Sequence, residues 1–179
     1  MKSTIRTAFC GAAAALEVLL LFLTNIFPTA TIALPAVAGV LLMAVVIEFS
    51  PRWAFGVFAV ASVLSFFLMS DKEAFLLYVC FLGYYPILKA VFEKKIHSQP
   101  LCWVCKLLTL NVAAVVDVLL VLFVLRVPME SFAWMGLLAV LLWLGLNVIF
   151  VVYDRALSGL VWLYWRRLHP MFARMLGNH

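Results

Sequence analysis

Charged residues are scarce in this chain, at 12% of its 179 residues, against about 25% in soluble domains. With 68% hydrophobic side chains and a mean hydropathy of +1.17, no water-soluble fold of this size hides that much apolar surface. Also missing are the roughly 10-residue alternating segments that mark an outer-membrane barrel. The sequence has no Walker-type phosphate loop, no His-Glu-x-x-His, no Gly-x-Ser-x-Gly and no dense histidine cluster. Enzyme activity, a cofactor and a bound metal are therefore not expected, and an ATP-driven process would need its energy source on another chain. Cysteines are few: Cys10, Cys80, Cys102 and Cys105. The Cys102-Trp-Val-Cys105 pair has the spacing of a redox or zinc half-site, with His97 nearby, but a second ligand pair is absent. We read it as two cysteines at a helix entrance.

What is present is a succession of long apolar runs. They cover about 8–27, 31–49, 53–69, 74–92, 106–125 and 132–153, each near the roughly 20 residues that a membrane-spanning helix needs. The breaks between them are short and polar: Pro28, Ser50-Pro51-Arg52, Ser70-Asp71-Lys72-Glu73, Glu93 to Pro100, and Arg126 to Ser131. The expectation is an all-α polytopic bundle of six antiparallel transmembrane helices in one integral membrane domain, with neither repeat nor linker. The first run is longer than a signal-peptide core of roughly 7 to 15 residues and lacks a clear small-x-small exit, so it reads as a retained span.

The formal net charge is +5, but the basic residues sit at helix ends rather than in a nucleic-acid-binding stripe. Lys2, Arg6, Arg52, Lys89, Lys94, Lys95, Lys106, Arg155, Arg166, Arg167 and Arg174 fall on one side, and only Lys72 and Arg126 on the other. The positive-inside rule makes the rich side cytoplasmic, with both termini inside a multi-pass protein of the cell membrane. In the cytoplasmic tail, 154–179, the run Ala156 to Trp165 is too short to cross again. Trp162, Tyr164, Trp165, Arg166 and Arg167 suit an interfacial, amphipathic helix against the lipid headgroups. The alternative is that the sixth helix simply continues into the cytoplasm.

Ionisable groups in hydrocarbon cost about 2.5–3.5 kcal/mol on the mildest scale, which singles out Glu17 and Asp117. Counted from the inner ends of their spans, both fall near mid-membrane, where they would share a proton, hold a cation or accept donors from a ligand; the alternative is that each is neutral or satisfied by a neighbouring helix's hydroxyl. A second polar layer, Lys89, Glu93, Asn111, Asn147, Tyr153 and Asp154, lies nearer the cytoplasm and reads as interhelical glue. In Gly83-Tyr84-Tyr85-Pro86, Pro86 cannot bond to the Leu82 carbonyl, so a kink or opened turn is expected. Such backbone is tolerated at depth only beside protein or a cavity. Ala8, Gly11, Ala12 and Ala15 make a small-residue ridge for close helix packing, and the residues alone favour a partner helix within this bundle. Asn25, Asp71, Lys72, Glu73, Arg126 and Glu130 would ring an extracellular mouth.

The ridge Ala8 to Ala15, the segment Ile32-Ala33-Leu34-Pro35-Ala36 and the turn Ser50-Pro51-Arg52-Trp53-Ala54-Phe55-Gly56 give a further lead. With the six-helix topology, they resemble the substrate-binding S component of energy-coupling factor transporters. The resemblance implies that Ala8 and Ala12 face a membrane coupling subunit. It also implies that helices and outer loops, near Asp71 and Arg126, capture a vitamin or metal ion, and that two cytoplasmic ATPases drive uptake. Two other readings stand beside it. One is a membrane scaffold of a cell-envelope assembly, similar to MreD-like proteins, acting through the basic loop Glu93 to Lys106 and the tail from Asp154. The other is a stand-alone proton- or cation-coupled carrier with Glu17 and Asp117 as its exchange site.

Overall fold

The computed structural model describes residues 2–124 and 136–167. Arg126, Glu130 and the first residues of the expected sixth span lie outside them. Among the described residues every regular element is helical. Five helices are long and apolar enough to cross a membrane: Thr4–Asn25, Pro51–Leu68, Lys72–Lys95, Gln99–Phe123 and Leu138–Arg167; a shorter apolar helix covers Ala33–Glu48.

Helix α1 (Lys2–Phe22) buries Cys10, Ala14, Glu17 and Leu21, a stripe at three- and four-residue spacing. Two short 3-10 turns, Leu23–Asn25 and Pro28–Ala30, carry the chain to α2 (Ala33–Glu48). Helix α3 (Pro51–Leu68) comes next, with Pro51 in its first turn, where its missing N–H costs nothing. Cys10 and Ala14 of α1, Leu42 and Val45 of α2, and Ala54 and Val57 of α3 share one core cluster.

The expected fourth span is a broken helix. It comprises α4 (Lys72–Leu77), a π-helical stretch Tyr78–Leu82 and α5 (Tyr85–Lys95). The Gly83 N–H reaches back five residues to the Tyr78 carbonyl at 2.8 Å, and Pro86 falls in the first turn of α5. Pro86 therefore restarts a helix rather than kinking one, and the Leu82 carbonyl loses its usual helical donor. Helix α2 closes over this point because residue 39 is glycine: a Cβ there would overlap the Leu82 carbonyl oxygen. Gly83 is equally confined, since its Cβ would lie 2.6 Å from the Phe58 ring.

Helix α6 (Gln99–Val124) begins seven residues before the expected boundary at 106. The basic loop expected from Glu93 to Lys106 is thus nearly all helix, interrupted only at Ile96 to Ser98. Helix α7 (Gly136–Arg167) runs 32 residues without interruption. The separate helix expected after Asp154-Arg155 is the continuation of α7, which was the alternative. These charges do not break it because Asp154 turns inward and is only 2% exposed. At 1.5 Å per residue α7 is about 48 Å long, well beyond a hydrocarbon core of about 30 Å.

Tyr85, Leu110, Phe150 and Leu157 form a cluster that joins α5, α6 and α7, with Met43 of α2. The small-residue ridge does not pack inside the bundle: Ala8, Gly11, Ala12 and Ala15 are all exposed, and nothing lies within 4 Å of a Cβ built on Gly11. The stripe of α1 that faces the core is the one carrying Cys10, Ala14 and Leu21, while Leu16, Leu19 and Phe22 stay exposed with the ridge.

Candidate functional site at the broken helix

Three carboxylates within the bundle all meet the same segment. Tyr78 donates its hydroxyl hydrogen to Glu17 Oε2 at 2.8 Å. Cys80, two residues on, directs its thiol at Asp117. Tyr85, just past the break, donates to Asp154 Oδ1 at 2.5 Å. A regular helix has 100° per residue and would set these side chains at other angles; the π turn, with its extra residue, reorients the side chains after it. Glu17 and Asp117 therefore do not form one site. Each has its own donor on the broken helix.

Glu17 is fully buried beside the π stretch, and its Oε1 has no partner. Asp117 lies six residues beyond the midpoint of Gln99–Phe123, about 9 Å toward the Phe123 end. That is because α6 starts earlier than the apolar run suggests. Its Oδ1 is buried and unpartnered. Beside it lies a cavity of about 210 Å³ lined by Leu77, Cys80, Phe81, Leu110, Ala114 and Leu146, among others. This cavity occupies the gap where the π stretch, α6 and α7 meet. Its walls are apolar apart from Asp117 and the Cys80 thiol.

The second polar layer divides into two networks, except for Tyr153, whose hydroxyl is buried without a partner. Lys89 Nζ, 1% exposed, lies 2.6 Å from Asp154 Oδ1 and 2.9 Å from Glu93 Oε1. Lys106 Nζ lies 2.7 Å from Glu93 Oε1 and 3.1 Å from Asp154 Oδ2. Two cations and two anions close a neutral ring across α5, α6 and α7, which is how buried charge is tolerated at all. Asn111 donates to Asn147 at 3.3 Å and accepts from Trp143 Nε1 at 2.6 Å, joining α6 to α7. Both are the expected glue. Lys106, Tyr85 and Trp143 are the members that sequence reasoning missed.

The outer-mouth residues are engaged in loop architecture. Asn25 accepts from the Ser70 N–H at 2.9 Å and donates to the Leu68 carbonyl at 3.3 Å. Asp71 caps α4 through the Ala74 N–H at 3.0 Å and accepts from Thr31 at 3.2 Å. Lys72 caps the end of α3 through the carbonyls of Phe66 and Met69, at 3.1 and 2.8 Å. Glu73 is exposed in the first turn of α4, one helical turn before Leu77 of the cavity wall. These polar groups thus hold the α3–α4 connection closed, while the unfilled space lies at Asp117.

All four cysteines are free thiols, and among the described residues no three His, Cys, Asp or Glu side chains gather as a metal site. Compared with family models, curated proteins and solved structures, the chain matches none.

Proposed function

We propose that the chain is a multi-pass protein of the cell membrane with six spans and both termini in the cytoplasm. In this reading it is the small-solute-binding subunit of an ATP-driven uptake transporter. The observation that carries the reading is the cavity at the broken helix, into whose margin the Asp117 carboxylate brings a buried oxygen without a partner. Discontinuous helices beside a cavity are the usual way a membrane protein offers polar groups to a solute. The resemblance to S components of energy-coupling factor transporters agrees with a second feature, the exposed ridge Ala8, Gly11, Ala12 and Ala15, free for a membrane coupling subunit. The solute site moves from the outer loops to Asp117, with Glu73 as the nearest outer charge.

Co-purification from native membranes in mild detergent tests this. A polytopic coupling protein with paired ATPases should accompany the wild type, and Ala8→Leu with Ala12→Leu should release them. Recovery of the protein alone, or an unchanged complex in the double variant, would count against the transporter reading.

A scaffold role is the second reading, favoured by the far end of α7. There Arg155 lies 5.6 Å from the Trp103 ring and Arg166 lies 5.2 Å from that of Trp162, a basic and aromatic surface suited to headgroups or an acidic partner. Arg166→Glu with Arg167→Glu should then abolish recruitment of envelope proteins. A stand-alone carrier is the weakest reading, because Glu17 and Asp117 have separate donors instead of a common exchange site.

A further inference from the structure

Resting on the solute-binding reading, we propose that the Asp117 cavity takes a small organic cation, a primary amine carried on a compact apolar body. Volume sets the size. A closed dry cavity of about 150 Å³ takes benzene, and this half-open one of about 210 Å³ has room for a ring-sized group with a short arm. Leu77, Phe81, Leu110 and Leu146 supply an apolar wall for that group. Phe81 is not free to swing into the space, because it stacks on Tyr85 with centroids 4.8 Å apart and meets Phe150 edge-on at 5.7 Å.

Charge sets the class. Asp117 Oδ1 is a buried acceptor without a donor, and the neighbouring Cys80 thiol of the cavity wall is at most a weak donor. Glu73 stands one helical turn before Leu77 of the cavity wall and places a negative charge on that side. Among the described residues no lysine or arginine is ion-paired with Asp117. An ammonium group supplies both the missing donor and the missing charge, whereas an anionic solute would meet two like charges at low dielectric. A neutral alcohol satisfies the acceptor but not the charge.

Isothermal titration of the whole protein in lipid nanodiscs with 2-phenylethylamine, 2-phenylethanol and 3-phenylpropanoate tests the assignment. The amine should bind best and the carboxylate not at all. Asp117→Asn should weaken the amine roughly thirtyfold or more while sparing the alcohol, and Ala114→Leu, which fills the cavity, should abolish both. If the alcohol or the carboxylate binds as well as the amine, and Ala114→Leu removes that binding, the ligand class is wrong and the solute-binding cavity stands. If the amine fails to bind, or Ala114→Leu leaves every isotherm unchanged, the assignment is overturned. In the second case the solute-binding reading falls with it.

Discussion

Tyr85 donates to Asp154 at 2.5 Å while its ring stacks on Phe81 with centroids 4.8 Å apart. One tyrosine therefore joins the ionic ring of α5, α6 and α7 to the wall of the Asp117 cavity. Lys89 and Lys106 fix Asp154, Asp154 fixes Tyr85, and Tyr85 holds Phe81 against α7. The rigidity of the candidate site is supplied from a layer that touches no solute.

Removing the centre of the ionic ring should be costly. Asp154→Ala leaves Lys89 and Lys106 buried with only Glu93 between them, and loss of one partner of such a pair costs about 3–5 kcal/mol. Lys89→Met combined with Asp154→Leu removes charge evenly and leaves Lys106 with Glu93, so it should cost clearly less than the single change. Thermal unfolding in detergent, followed by tryptophan fluorescence, compares the two. A double variant no more stable than Asp154→Ala would mean that stranded charge is not what makes the single change costly.

Glu17 should depend on Tyr78. Tyr78→Phe removes the one donor seen at a fully buried carboxylate, at a cost of about 1–3 kcal/mol. Adding Glu17→Leu should restore part of that loss, because it removes the orphaned acceptor. The same unfolding assay reads both, and strictly additive losses would contradict the pairing.

Two glycines should respond in opposite directions to the same substitution. Gly39→Ala drives a methyl group into the Leu82 carbonyl, and overpacking of this kind costs about 1–3 kcal/mol. Gly11→Ala meets nothing and improves helix propensity, by up to about 1 kcal/mol. If Gly11 faces a coupling subunit, Gly11→Leu should leave the isolated protein stable yet weaken its recovery with that partner in pull-down. Stability lost in Gly11→Leu would place the ridge inside the bundle after all.

These contrasts also mark how far the residues alone could lead. Glu17 and Asp117 stand out in sequence because each is a lone acid in an apolar run, and the buried, unpartnered oxygen that each carries agrees with that signal. Their donors do not stand out. Tyr78 and Cys80 are two residues apart and so face different helices, but which acid each one meets depends on how α1 and α6 pack against this segment, which no local pattern marks. Lys106 reads as a loop cation because it precedes an apolar run, although Pro100 opens a helix that carries it inward to Asp154. Position in the chain cannot separate a topogenic lysine from a buried one whose counter-charge lies 48 residues away. Asp71 and Asn25 look like ligands for a similar reason: cap residues and binding residues share one chemistry, and only geometry tells which donors they already hold.

The most direct test of the central claim is native mass spectrometry of the wild type and Ala114→Leu, each released from its own membranes without added ligand. The account predicts that a fraction of the wild type carries one small-molecule adduct, of a mass compatible with about 210 Å³, and that Ala114→Leu carries none. Identical spectra free of any such adduct, with cell-envelope proteins and no ATPases accompanying both, would contradict it and favour the scaffold.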